Sequence, residues 1–166
     1  TLLLYHDISL DTAEKTFPWL ARRYNIIPLG DLIEACKNPK GRKLPKKAMV
    51  ITFDDGHVRN HQLLPVVQQM KLPVTIFLCA GIINTNRHYW FTYRHPDISK
   101  SKLKRVPNRE RLRILREYGF APDREFQTPQ ELNRKQIDEN RNSIDLQEPT
   151  MSHLRLPRSN NPQARH

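Results

Sequence analysis

The sequence predicts an α/β fold of parallel β/α units, and three observations carry that prediction. Ala48-Met49-Val50-Ile51-Thr52-Phe53 is apolar and β-branched without alternation, the pattern of a strand covered on both faces. Val74-Thr75-Ile76-Phe77-Leu78-Cys79, opened by Pro73, has the same character. Around these runs strand and helix signals alternate, the order that generates a parallel sheet with crossover helices.

In chain order, Thr1 to His6 reads as a strand. Asp11-Thr12-Ala13-Glu14 has a capping-box pattern, and Phe17, Leu20, Ala21 and Tyr24 mark the apolar stripe of the helix it starts, with Pro18 inside. Asn25 to Pro28 is a short strand, Asp31 to Cys36 a brief helix, and Asn38 to Lys47 a polar loop leading into the strand that ends at Asp54 and Asp55. Leu63, Leu64, Val67 and Met70 have helical spacing before the strand that ends near Ala80-Gly81. A basic segment of about residues 84–126 follows as an insertion, with a helix from Asn108 to Tyr118 stopped by Gly119. Thr128-Pro129-Gln130-Glu131 reads as a second capping box, and Ile144 to Gln147 as a last strand.

At 166 residues and 19.6 kDa the chain suits one domain whose core stands without disulfides. Cys36 and Cys79 read as small buried hydrophobes. No apolar run is long enough to span a bilayer, no signal peptide is recognised, and the compartment is not assigned. The net charge of +11 is concentrated: ten Lys or Arg lie between Arg87 and Arg116, against Asp97 and Glu110. Such an excess suits nucleic acid, anionic headgroups or an acidic glycan, but no nucleic-acid motif accompanies it, and a solvated insertion explains it as well. Tyr89, Trp90, Phe91 and Tyr93 interleave with it, and flat aromatic faces stack on sugar rings.

The chemistry centres on Asp54-Asp55-Gly56-His57 at the end of the apolar strand. Adjacent carboxylates repel, so a metal, a cation or a shared proton must compensate them, although an isolated Asp-Asp-Gly also fits a helix N-cap. Active groups of parallel β/α folds gather at the carboxyl ends of the strands, which makes His6, Asp54, Asp55 and the segment past Gln147, with His153, candidates for one rim. Asp plus His suits a divalent ion such as zinc.

Tyr5-His6 on a first strand, then Ile51-Thr52-Phe53-Asp54-Asp55-Gly56 with Asn60, then Pro73-Val74-Thr75-Ile76-Phe77-Leu78, resemble the polysaccharide deacetylase domain, carbohydrate esterase family 4. The likeness runs from Leu2 to about Ala164 and implies an irregular parallel β/α barrel as a single domain over 1–166. It implies metal-dependent hydrolysis of an N- or O-acetylated carbohydrate, with Asp54 as general base, Asp55 as metal ligand and Zn2+ as the ion. The family's second motif, His-Thr-x-x-His-Pro, is degenerate here. Registering Thr150 on its threonine puts His153 on the second histidine and Pro149 on the first; a rival register puts His153 first and Pro157 second. Either register leaves one histidine position without a histidine, so metal affinity is expected to fall. His57 and His6 are the possible substitute ligands, and Tyr89 and Trp90 the expected substrate-binding residues.

The family's later strands, which carry an arginine and a general-acid histidine, are expected to be missing. The barrel is therefore incomplete, with an open sheet edge covered by a partner chain or a missing C-terminal segment. Impaired deacetylation of an acetylated oligo- or polysaccharide is the leading expectation. A catalytically inactive carbohydrate-binding descendant is the alternative, and a basic nucleic-acid-binding protein a weaker one.

Overall fold

A computed structural model describes residues 1–41 and 43–150. The expected alternation is present: β1 (Leu2–Tyr5), α1 (Leu10–Ala21), β2 (Asn25–Ile26), α2 (Leu29–Lys37), β3 (Ala48–Phe53), α3 (Leu64–Met70) and β4 (Val74–Cys79). Beyond β4 come α4 (Lys100–Leu103), α5 (Asn108–Glu117), α6 (Arg134–Asn140) and β5 (Asp145–Thr150). The strand pairings are parallel, in the order β1-β3-β4-β5 with β2 also on β3.

Strand β3 organises the sheet because both of its edges and both of its faces are used. Thr1 donates its amino terminus to the Ala48 carbonyl (2.9 Å), and Val50 N–H donates to the Thr1 carbonyl (3.0 Å), so even-numbered backbone groups face β1. Odd-numbered ones face the other way: Asn25 N–H reaches the Lys47 carbonyl and Ile27 N–H the Met49 carbonyl. That second edge carries β2 at its start and β4 from Ile51 onward. From Met49 to Phe53 every side chain is buried, which is why the strand reads as a continuous apolar run. Strand β1 is covered on one face only, leaving Leu2 and Leu4 exposed.

The helix signals held in position more often than in detail. Helix α1 starts two residues early, capped by Ser9, whose hydroxyl accepts from Thr12 N–H at 3.1 Å, in place of the Asp11 box. It buries Ala13, Phe17 and Leu20, one stripe at helical spacing. The apolar spacing from Leu63 to Met70 splits into a 3-10 turn over Val58–Leu63 and then α3. Thr128-Pro129-Gln130-Glu131 starts no helix. The box forms instead at Asn133 and Gln136, which cap α6 reciprocally. In α5 Leu115 and Arg111 share the buried face, and Tyr118, just past its end, is exposed. Of the two cysteines Cys79 is buried and Cys36 is exposed, so only one is a core residue.

The main core gathers Phe17, Ile51, Phe53, Leu63, Val67, Ile76, Leu132 and Ile144. The segment after β4 builds a smaller cluster of its own from Trp90, Leu103, Leu115 and Phe120. No helix among the described residues is long and apolar enough to cross a membrane.

Candidate active site

The two carboxylates sit where β3 ends. Asp54 is half-buried, and its N–H donates to the Tyr5 carbonyl at 2.9 Å, extending the β1 ladder one residue past the strand. The chain then turns sharply, because Asp55 and Gly56 both take the left-handed conformation, with φ of 70° and 56°. A non-glycine residue pays for that conformation, so the surroundings must hold it.

Three contacts do so. The Tyr89 hydroxyl donates to the Asp55 carbonyl. Leu132 N–H donates to the Gly56 carbonyl at 2.9 Å, and Val58 N–H to the Gln130 carbonyl at 2.9 Å. Gly56 itself lies so close to β4 that a Cβ would stand 2.8 Å from Leu78 Cδ2 and 3.0 Å from Glu131 Oε1. Glu131, 2 % exposed, accepts from Cys79 N–H at 2.5 Å and ties this bracing segment to the end of β4. The Gln130 side chain in turn accepts from Tyr89 N–H at 2.9 Å.

Asp55 is 7 % exposed and lines a cavity of about 570 Å³ together with His6, Trp90, Phe91, Thr92, Arg94, Lys100, Lys104 and Arg111. Of the residues expected at the strand-end rim, His6, from beyond β1, and Asp55, from beyond β3, share this lining. Asp54, the neighbour of Asp55, is not one of the lining residues. His57 is committed elsewhere: its Nδ1 accepts from Arg59 N–H at 3.2 Å and lies 3.9 Å from Asp7, whose carboxylate also pairs with Arg59. Burial pulls the His57 pKa below the ordinary histidine value, and Asp7 opposes that shift.

The aromatic pair divides its work. Tyr89 and Trp90 are 4 % and 8 % exposed, so neither is the open stacking face expected from the sequence. Tyr89 acts from inside the turn, and burial, with Glu131 next, pushes its phenol well above the ordinary tyrosine value, keeping it a donor. Trp90 reaches the cavity wall and carries the Arg111 guanidinium 4.4 Å from its ring centroid. Glu131 and Arg111 were missed as site-supporting residues. A helix-start pattern masked the first, and a uniform basic run hid the second.

Among the described residues no group of three or more His, Cys, Asp or Glu side chains is placed to hold a metal ion. Asp55 and His6 share one cavity and are donor types that zinc accepts, but a catalytic zinc takes three protein ligands, so these two alone do not fit it. His153, the expected second ligand, lies outside the described residues.

The fold has known counterparts. It is similar to the Streptococcus pyogenes deacetylase PplD in complex with acetate, at 16 % identity and TM-score 0.58, over 98 % of this chain and 60 % of that one. It is similar to a de-N-acetylase from Aggregatibacter actinomycetemcomitans, at 18 % identity and TM-score 0.56, over 98 % and 58 %. The BpsB deacetylase domain from Bordetella bronchiseptica gives 16 % identity and TM-score 0.53, again over 98 % and 58 %. The chain thus spans about three fifths of each of these structures. No curated protein sequence matches it significantly. The polysaccharide deacetylase family profile matches residues 41–166, which include the Asp54-Asp55-Gly56 turn, its bracing segment and the cavity's basic wall, and the chain belongs to that family.

Proposed function

We propose that the chain hydrolyses an acetyl group from an N- or O-acetylated carbohydrate, with Asp54 as general base. The observation that carries the proposal is the braced turn at the end of β3, which sets a half-buried carboxylate beside a buried one at the edge of a cavity of about 570 Å³. That volume falls in the usual range for small-ligand sites. The Asp54 N–H bonds to the Tyr5 carbonyl, so its backbone is held at the end of the sheet. An ionised carboxylate in that position takes the proton of an attacking water, which is general base catalysis. Trp90 and Phe91 supply the apolar wall and Thr92 a hydroxyl at its side.

The proposal includes a divalent ion, zinc by donor chemistry, with Asp55 and His153 as ligands and the third protein ligand that a catalytic zinc takes supplied by a substitute histidine. When bound, such an ion polarises a carbonyl and acidifies water. Of the two substitute ligands, His6 is favoured by its place in the cavity, since His57 is engaged with Arg59 and faces Asp7. A carbohydrate-binding protein without catalysis is the second reading, favoured by Pro149 at the first histidine position in the Thr150 register. Acetate release from an N-acetylated chitooligosaccharide separates the two: the enzyme releases acetate and its Asp54→Asn variant does not, whereas the binder releases none.

A further inference from the structure

We propose that the carbohydrate taken by this site is anionic, a glycan bearing carboxylate groups, held by the cationic wall of Arg94, Lys100, Lys104 and Arg111. The inference rests on the deacetylase reading and names its substrate class.

The basic segment is not uniform. Outside the cavity two of its six cations are matched, Arg87 by Asp123 and Glu125 and Arg113 by Glu110 and Glu117, while Lys102, Arg105, Arg109 and Arg116 are spread without an ion pair among the described residues. The four that line the cavity have no carboxylate partner among the described residues, and the one acid on the same lining is Asp55. Arg111 is 2 % exposed, yet its guanidinium is met by neutral groups: the Leu103 carbonyl at 3.0 Å, the Val106 carbonyl at 3.3 Å and Asn108 Oδ1 at 3.3 Å. Lys100 spends a hydrogen bond on the Phe91 carbonyl at 2.5 Å. Desolvation, then Arg94 and Lys104, press its pKa below the ordinary lysine value, as expected for ammonium crowded by like charge.

Four cations against one carboxylate leave a positive field over the half-open cavity. Arg94 and Lys104 are exposed, so their heads are available to a ligand. Arginine matches a carboxylate with a planar fork, and Trp90 and Phe91 form the aromatic part of the same lining. A neutral acetylated sugar would use the aromatic part and leave the charge excess without a partner. A carboxylated one uses both.

The test pairs O-acetylated oligogalacturonides with their methyl esters, which keep the sugar and the acetyl groups and lose the charge. Binding to the full chain is read by calorimetry at low and physiological salt, and acetate release is read in the same samples. The free acids are expected to bind at least about tenfold tighter than the esters at low salt, with the gap narrowing as salt screens it. Arg94→Gln/Lys104→Gln, two exposed residues with no ion pair among the described residues, is expected to shrink the gap by about tenfold while circular dichroism stays that of the native chain. Equal binding of acids and esters overturns the proposal even if acetate is released. Tighter binding of a random DNA duplex than of the free acids, falling steeply with salt, also overturns it and points to nucleic acid. A preference for the acids with no acetate release instead refutes the deacetylase reading and leaves the wall as an acidic-glycan site.

Discussion

Replacing Gly56 with alanine perturbs the turn that presents both carboxylates without touching either. Gly56 has φ of 56°, and an alanine there bears the left-handed penalty of about 1–2 kcal/mol. Its Cβ would also stand 2.8 Å from Leu78 Cδ2, 3.0 Å from Glu131 Oε1 and 3.2 Å from Leu78 Cα. The first neighbour can rotate, but the last is β4 backbone, so the turn itself must move. Overpacking of that kind costs about 1–3 kcal/mol, which brings the loss to about 3 kcal/mol. For a chain of this length that lowers Tm by about 6–12 °C, read by circular dichroism melting. Displacing the turn by a few tenths of an ångström should also lower acetate release at least about tenfold, since reacting groups tolerate little misplacement. A Tm within about 2 °C of wild type with unchanged acetate release would refute the claim that the close approach to β4 sets the site.

Other perturbations follow from the same contacts. Tyr89→Phe removes the donor to the Asp55 carbonyl and is expected to cost about 1–2 kcal/mol, read by urea denaturation at neutral pH. Because burial raises the Tyr89 pKa, its folded-state contribution is complete below the ordinary tyrosine value, near about 10, and is lost as pH rises above it. The stability of wild type should therefore fall above about pH 10 more steeply than that of Tyr89→Phe, and parallel curves would count against the buried phenol. Pro149→His, which places an imidazole at the first histidine position in the Thr150 register, should tighten zinc binding in titration calorimetry. Equal affinity in both proteins would reject that register.

What the sequence made legible depended on how local the cause was. Strand β3 could be read because burial on both faces leaves its mark in every residue from Met49 to Phe53. The end of α5 could be read from Gly119, whose φ of 88° suits glycine best and whose N–H returns to the Arg116 carbonyl. Glu131 was misread because a capping box is a pattern of four residues, whereas its partner, the Cys79 amide, lies fifty-two positions away. The pattern at Asn133 and Gln136 was equally visible and is the one that forms a helix, since its neighbours do not divert it into bracing the site. Tyr89 and Trp90 were assigned to the site from composition, but their burial and their different jobs come from tertiary packing. The same holds for the basic run, where only the fold separates Arg113, paired outward, from Arg94 and Lys104, which face the cavity.

The central claim is that Asp54 deprotonates the attacking water, and acetate release by wild type and Asp54→Asn from an N-acetylated chitooligosaccharide and from an O-acetylated oligogalacturonide tests it most directly. An amide cannot accept that proton, so the variant should bind each oligosaccharide as wild type does and release acetate at least about 100-fold more slowly, the usual size of a general-base contribution. Acetate release by Asp54→Asn at the wild-type rate would contradict the account.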